Sequence, residues 1–115
     1  MKLRDNEKMI LWRRRENMTQ RDISNLVGVS QGYISQWELG FRPVPDFALR
    51  FCPEIDKVTD GEEFHLRMGR VGYNMTEMSK RLGTNFYRLL KMVRDERPIP
   101  KEFWDVLEKV EKKFE

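Results

Sequence analysis

The chain contains one cysteine, one histidine and no long apolar stretch. Because Cys52 has no second cysteine to pair with, no internal disulfide can form, and this composition favours a reducing compartment. Cys52 and His65 are too few for a closed zinc site, which needs four ligands. The longest segment without a charged residue, 23–37, contains Gly, Ser, Asn and Gln. It is shorter than the roughly 20 apolar residues of a membrane span. The sequence therefore predicts no disulfide, no bound metal and no membrane segment.

Residue patterns that signal catalysis or cofactor binding are also missing. The chain has no glycine-rich phosphate-binding loop and no acidic cluster at metal-ligand spacing. Cys52 precedes Pro53 in an apolar stretch, which favours a buried structural thiol. His65 has no nucleophile signalled beside it and is expected on the flank of a helix. We therefore expect a protein that is not an enzyme and has no cofactor.

The 115-residue chain is highly charged, without a strong excess of one sign. Charged residues make up 36% and hydrophobic residues 39% of the sequence, as in a folded protein with a charged surface. The net charge of +3 divides into +2 up to Val58 (10 basic minus 8 acidic) and +1 beyond it (12 minus 11). Neither part is a basic tail, so binding of a polyanion depends on where the charges lie. Residues 1–8 lack the apolar segment of a secretory signal, so we expect a cytoplasmic protein.

Two parts of the chain resemble each other when the sequence is shifted by the distance from Gly28 to Gly83, which we call the repeat offset. The matching turn segments are Arg42-Pro43-Val44-Pro45 with Arg97-Pro98-Ile99-Pro100, and Val27-Gly28 with Leu82-Gly83. Apolar positions between them also correspond: Ile23 with Met78, Ile34 with Leu89, and Trp37 with Met92. We interpret this order of Gly, Pro and apolar positions as two copies of one unit, in domains 1–58 and 59–115.

Hydrophobic spacing predicts that the first unit begins with two short helices. Met9 and Trp12 are spaced for one face of a first helix that ends near Asn17. Thr19 has the chemistry of an N-cap, and Asp22 stands at the third helical position, as in a capping box. The apolar face predicted for the second helix consists of Ile23, Leu26 and Val27.

Turn residues then divide the rest of the first unit into two more helices. Gly28 suits a left-handed C-cap, and Ser30 suits the N-cap of a third helix that stops at Gly40. Pro43 and Pro45 prevent that helix from continuing, so a fourth starts at about residue 46. The core positions of the third helix are Ile34 and Trp37, beside Tyr33.

The second unit has the same plan. Asn74 with Glu77 predicts a capped helix, Gly83 a turn, and Asn85 the cap of the next helix. A last amphipathic helix is expected from about Lys101, with core spacing at Phe103, Trp104, Leu107, Val110 and Phe114. Because no segment alternates like a strand, the predicted fold is all-α, with two tandem units packed into one compact chain.

The segment 18–40 resembles the helix-turn-helix of the lambda-repressor/Cro family. It has Thr19-Gln20 at the start of the second helix, Ser24 four positions after Gln20, and the turn Gly28-Val29-Ser30. It also has Ile34-Ser35 on the third helix and Glu38-Leu39-Gly40 at its end. The continuation, Arg42-Pro43-Val44-Pro45 and Cys52-Pro53-Glu54-Ile55-Asp56, is similar to a YdaS-type, Cro-like branch found in phages and prophages. The second unit departs from the pattern at Asn74-Met75 and at Asn85-Phe86-Tyr87.

The resemblance implies that double-stranded DNA is the partner and that the third helix enters its major groove. Gln31 and Gln36 are then expected to face bases, since a glutamine amide both donates to and accepts from adenine. Gly32 lets the backbone come close or admits a thymine methyl. The expected phosphate contacts are Gln20, Ser30, Tyr33 and Arg42, and Ser35 completes the expected interface. Alternatively, both glutamines are ordinary solvated helix residues. Residues 13–15, three arginines, are either a solvated face or a phosphate clamp.

The second unit leaves more alternatives open. Tyr87, Arg88, Lys91 and Arg94 form a predicted cationic stripe that suits phosphates better than base reading. Phe86 and Leu90 stand where the family has polar, exposed residues, and exposed apolar residues indicate a protein contact. The second unit is therefore expected to contact DNA, to form a homodimer or intramolecular packing surface, or to bind another partner.

These observations predict a sequence-specific DNA-binding transcription regulator, such as a repressor, of phage or prophage type. The recognition helix is expected at about 31–39. The alternative is a protein-interaction module derived from a helix-turn-helix, with weak or no DNA reading. Retention of Thr19-Gln20 and Gln31 argues against that alternative, and the divergent second unit argues for it.

Overall fold

The computed structural model describes residues 1–114, which form eight α-helices and no strand. The predicted all-α class is therefore confirmed. The chain divides into two compact units, Met1–Asp56 and a second that begins at Lys57. None of the helices in the described part is long and apolar enough to cross a membrane.

Each unit contains four helices. Those of the first unit are α1 (Asp5–Arg15), α2 (Gln20–Val27), α3 (Gln31–Glu38) and α4 (Asp46–Leu49). Those of the second unit are α5 (Asp60–Arg70), α6 (Met75–Leu82), α7 (Phe86–Val93) and α8 (Lys101–Lys112).

Helix boundaries follow the repeat offset that the sequence predicts. Every helix of the second unit begins at this offset from its counterpart, and the first three also end at it. The turns obey the same rule, since the C-caps Gly28 and Gly83 are both left-handed, with φ of 83° and 71°. The left-handed residues Asn17 and Gly72, and Gly40 and Asp95, are further pairs at this offset.

Most of the predicted caps are present. The Thr19 hydroxyl accepts from the Asp22 N–H at 3.1 Å, and the side chains of Asn74 and Asn85 accept in the same way. Ser30 is at the N-cap position of α3, but the prediction that its side chain caps the helix is wrong. The Tyr33 N–H donates to the Ser30 carbonyl at 3.1 Å and not to the hydroxyl.

The core of the first unit joins α1, α2 and α3 with the start of α4. Its buried members are Met9, Trp12, Ile23, Ile34, Trp37, Val44 and Ala48. Leu26 is 54% exposed, so its predicted core position is wrong. The small Ser24 is buried beside Ile23 instead, and its hydroxyl donates to the Arg21 carbonyl at 2.8 Å. The face of α2 that packs inward is therefore centred on Ile23, Ser24 and Val27, and Leu26 lies to one side of it.

The second unit has a separate core. Its buried members are Phe64, Met68, Met78, Leu89, Val93 and Leu107. Leu90 packs half-buried against this cluster, so its predicted exposure is wrong. Phe114 is 65% exposed and its predicted core role is also wrong, because α8 ends before it, at Lys112.

Cys52 lies half-buried against the core of the first unit. Its sulfur is 3.2 Å from the Met9 sulfur, and burial raises the pKa of its thiol to about 11. The thiol therefore stays protonated at neutral pH. Its counterpart at the repeat offset is the buried Leu107, which indicates that Cys52 acts as a small apolar residue.

The first and third helices of each unit are joined in two different ways. In the first unit the Asn6 amide donates to the Glu38 carbonyl at 3.4 Å. In the second unit the counterpart of Asn6 is Gly61, where a β-carbon would lie 2.5 Å from the Val93 carbonyl oxygen. The Asp95 carboxylate accepts there from the Gly61 N–H at 2.9 Å. Both joints fix the end of the third helix, and with it the face that this helix presents.

Candidate nucleic-acid interface

The exposed side of α3 is polar and uncharged. Gln31, Gly32 and Tyr33 are exposed at its first turn, whereas Ile34 and Trp37 are buried in the core. Ser35 and Gln36 are half-buried. The turn before α3 is closed by Gly28, whose N–H donates to the Ser24 carbonyl at 2.9 Å. This arrangement presents the N-terminal turn of α3 outward on a rigid support.

Tyr33 and Arg42, both predicted phosphate contacts, lie together. The Arg42 guanidinium is 5.2 Å from the centre of the Tyr33 ring, within cation–π range. The Tyr33 ring is in turn 6.3 Å from the Trp37 ring, which is itself buried. Arg42 is therefore held beside the first turns of α3, although it lies outside the helix.

Gln36 is not arranged like Gln31. Its amide oxygen is shielded from solvent and has no hydrogen-bond partner among the described residues. Gln31 is exposed at the first position of α3. Of the two glutamines predicted to face bases, Gln31 is therefore exposed and Gln36 is half-buried.

Gln20, the other predicted phosphate contact of this unit, belongs to a network at the opposite end of α3. Its amide nitrogen donates to the Glu38 carboxylate at 3.1 Å. Arg13 pairs with the same carboxylate through two bonds, of 2.8 and 2.9 Å. The Glu38 side chain is only 9% exposed and that of Arg13 31%. The network ties α1 and the start of α2 to the end of α3.

Sequence reasoning missed this network, although the repeat contains a signal for it. The counterparts of Arg13, Gln20 and Glu38 at the repeat offset are Met68, Met75 and Val93. Met68 and Val93 are buried in the second core, and Met75 packs against it. Three polar residues opposite three apolar residues in otherwise matching units indicate that the polar ones satisfy one another.

The network also bears on residues 13–15. Arg13 is paired with Glu38 and its side chain is still 31% exposed. Arg14 and Arg15 have interactions of their own within the protein. The solvated face and the phosphate clamp both stay predictions.

In the second unit, α7 presents a cationic and aromatic face. Arg88, Lys91 and Arg94 are all exposed and recur at every third position. Tyr87 is 75% exposed and Phe86 40%, and their rings meet edge to face at 5.9 Å. No acidic residue lies within α7. The four residues of the predicted stripe are therefore all at the surface, in a different unit from Gln31.

A comparison with known protein families finds a match within the first unit. A helix-turn-helix family model matches residues 10–49, from within α1 to the end of α4. The family is one of DNA-binding regulators. No curated protein and no solved structure matches the chain.

Proposed function

We propose that this protein is a sequence-specific DNA-binding transcription regulator, of the phage or prophage type that 42–56 resembles. The observation that carries the proposal is the first turn of α3. It combines an exposed, uncharged hydrogen-bonding surface with a helix whose C-terminal end is fixed through Glu38. A helix of this kind reads base edges when its N-terminal end enters the major groove.

We propose separate tasks for the residues around α3. Gln31 donates and accepts on one base edge, for which adenine is the natural match. Gly32 has no side chain, so the backbone approaches the floor of the groove. Tyr33 lies on the helix and Arg42 beside it. They are in contact with each other, and both bind the phosphate backbone. Gln20 is tied to Glu38, and we assign it mainly to positioning α3.

Replacement of Gln31 by alanine is expected to weaken binding to a specific site by about 1–3 kcal/mol and to leave binding to random duplex nearly unchanged. The site would first be selected from a randomised duplex library, and fluorescence anisotropy would give both dissociation constants. Asn25→Ala, an exposed polar residue of α2, is the control and is expected to change neither constant.

An equal loss on both sequences would assign Gln31 to non-specific contacts. No loss on either would remove α3 from the interface. In that second case the protein-interaction alternative, with little DNA reading, becomes the better explanation.

We propose a different role for α7, which adds affinity without sequence discrimination. Its three exposed cations suit phosphates, whereas Phe86 and Tyr87 at its first turn offer almost no base-specific hydrogen bonds. The two units then divide the work, because α3 selects the sequence and α7 strengthens binding to any duplex.

The triple variant Arg88→Ala, Lys91→Ala, Arg94→Ala is expected to flatten the salt dependence of DNA binding. Each phosphate contact contributes about 0.9 to the slope of log K against log salt, so three contacts lower it by roughly 2.7. The matched control removes three exposed lysines of the last helix and its end, Lys109, Lys112 and Lys113. The two variants have the same net charge, and an identical slope in both would refute a role for α7 in DNA binding.

A further inference from the structure

An apolar groove runs beside α3 in the first unit. It measures about 570 Å³ and is lined by Val29, Tyr33, Trp37, Pro43, Pro45 and Phe47, with Arg42 as its charged member. Tyr33 is 43% exposed and Phe47 49%, although their rings contact the buried Trp37. A contiguous exposed apolar patch, unlike a single exposed side chain, is typical of an interaction surface.

The second unit shows that the fold does not require this groove. At the positions of Val29, Tyr33 and Phe47 it has Thr84, Arg88 and Glu102. The helices around those positions begin at the same places in the repeat. The aromatic lining in the first unit is therefore not needed to form the helices, and binding is the remaining explanation for it.

Two apolar side chains protrude next to the groove. Leu39 is 63% and Phe41 77% exposed, in the turn that leads from α3 to Arg42. Their counterparts in the second unit are Arg94 and Glu96, which are both charged. Segment 39–47 thus contributes residues to the concave apolar groove and also contains two protruding apolar side chains.

Charge distinguishes a second copy of the chain from other occupants of this face. Segment 39–47 contains one exposed cation, Arg42, and one exposed anion, Asp46, and the nearby Glu38 is paired with Arg13. Two copies can therefore bring this surface together without an excess of charge of one sign. The α7 face cannot do so, because its three exposed cations would oppose those of the second copy.

We propose that a second copy of this chain docks on this face of the first unit, in a two-fold arrangement with Phe41 of each copy in the groove of the other. In such an isologous contact each copy contributes the same patch, so the assembly closes at a dimer. Leu39, Phe41, Phe47 and Tyr33 together expose roughly 450 Å² of side chain, if a large side chain offers about 200 Å². This is more than half of the roughly 800 Å² per partner in a standard interface. The prolines of the groove and the Arg42 stem extend the patch.

The proposal has one consequence that rests on the proposed function. A second copy seated in the groove covers Tyr33 and Arg42, which we also assign to phosphate contacts. Self-association through this face and DNA binding then exclude each other, so the dimer is a DNA-free form whose dissociation releases the recognition surface.

Sedimentation of the full chain without DNA tests the docking itself. Across about 1–200 µM the parent is expected to pass from monomer to dimer, and a monomer throughout overturns the proposal. Phe41→Glu and Phe47→Glu copy the residues of the second unit, Glu96 and Glu102, and are expected to raise the dimer dissociation constant at least about tenfold. Circular dichroism melting confirms that each variant is folded.

Phe86→Gln, which places the counterpart residue Gln31 on the second unit, is the matched control. It is expected to leave dimerisation unchanged. A dimer that resists both glutamate variants but dissociates in this control uses the second unit, and that result overturns the proposal. Assemblies larger than a dimer contradict the two-fold arrangement.

A DNA titration separates the consequence from the docking. At protein concentrations above the dimer constant, the neutral variant Phe47→Gln, which adds no negative charge beside Tyr33 and Arg42, is expected to bind DNA at least about threefold more tightly than the parent, since no dimer competes. If the chain fails to bind DNA at all, the proposed function fails, and the sedimentation results still decide the docking. Equal DNA affinity of parent and variant, with the dimer confirmed, overturns the mutual exclusion.

Discussion

Replacement of Trp37 by alanine is expected to lower the free energy of unfolding of the first unit by about 3–5 kcal/mol. Trp37 is 4% exposed and belongs to the core cluster that joins α1, α2 and α3. It also contacts Tyr33 and Phe47, each at 6.3 Å between ring centres. Its removal leaves a large cavity where α3 packs on the core, and this loss is a large share of a small domain's total stability. Urea unfolding followed by circular dichroism measures it.

The second unit provides a control for this prediction. The counterpart of Trp37 is Met92, which is 3% exposed in its own core. Trp37→Met keeps most of the volume with an adaptable side chain and is expected to cost less than half as much as alanine. If alanine and methionine prove equally mild, the tryptophan is not filling the core in solution. Amide exchange is expected to localise the loss to 5–49 and to leave α5–α8 protected.

The parts of the fold that sequence predicts best depend on neighbouring residues. An N-cap needs only a side chain and an N–H at the third position of the helix, so Thr19 and Asn74 are recognisable in any context. The left-handed turns at Gly28 and Gly83 also follow from a single glycine each. These local signals, placed in order along the chain, were enough to predict the repeat and the all-α class.

The parts that sequence missed depend on packing between helices. Leu26 has the spacing of a core residue, but the helix turns Ser24 inward instead and leaves Leu26 54% exposed. The close contact at Gly61 has no local signal, because it is made with the Val93 carbonyl, which belongs to a helix far along the chain. Periodicity specifies a direction around one helix and contains no information about how near the next helix lies.

In the candidate interface, too, the sequence indicates the surroundings of some residues and not of others. Residue type and position indicated Gln31 and the cations of α7, and the structure places all of them at the surface. Two neighbours with equally suitable chemistry are arranged otherwise, since Gln20 bonds to Glu38 and the Gln36 oxygen is shielded. A polar residue at a candidate interface can form hydrogen bonds within the protein or with a ligand. Which of the two it does depends on hydrogen-bond partners that are distant in the sequence.

Breaking the Arg13–Glu38 pair by one substitution is expected to destabilise the first unit, whereas replacing both residues is expected to be nearly neutral. Arg13→Met leaves the Glu38 carboxylate, which is 9% exposed, without its cation, and is expected to cost about 3 kcal/mol. Glu38→Val is expected to cost less, because the Arg13 guanidinium is 31% exposed and can reach water. The double variant reproduces Met68 and Val93, and exchange of an ion pair for apolar residues is often neutral.

Urea unfolding of the parent, both single variants and the double variant forms a thermodynamic cycle that isolates this coupling. The double variant is expected within about 1 kcal/mol of the parent, well above Arg13→Met. A double variant whose loss equals the sum of the two single losses would show that the pair is not coupled.

Addition of Gln20→Met completes the set found in the second unit, because Met75 occupies that position. If the network serves to position α3, the triple variant remains stable while its affinity for a specific site falls more than its affinity for random duplex. An unchanged ratio of the two affinities would assign the network to stability alone.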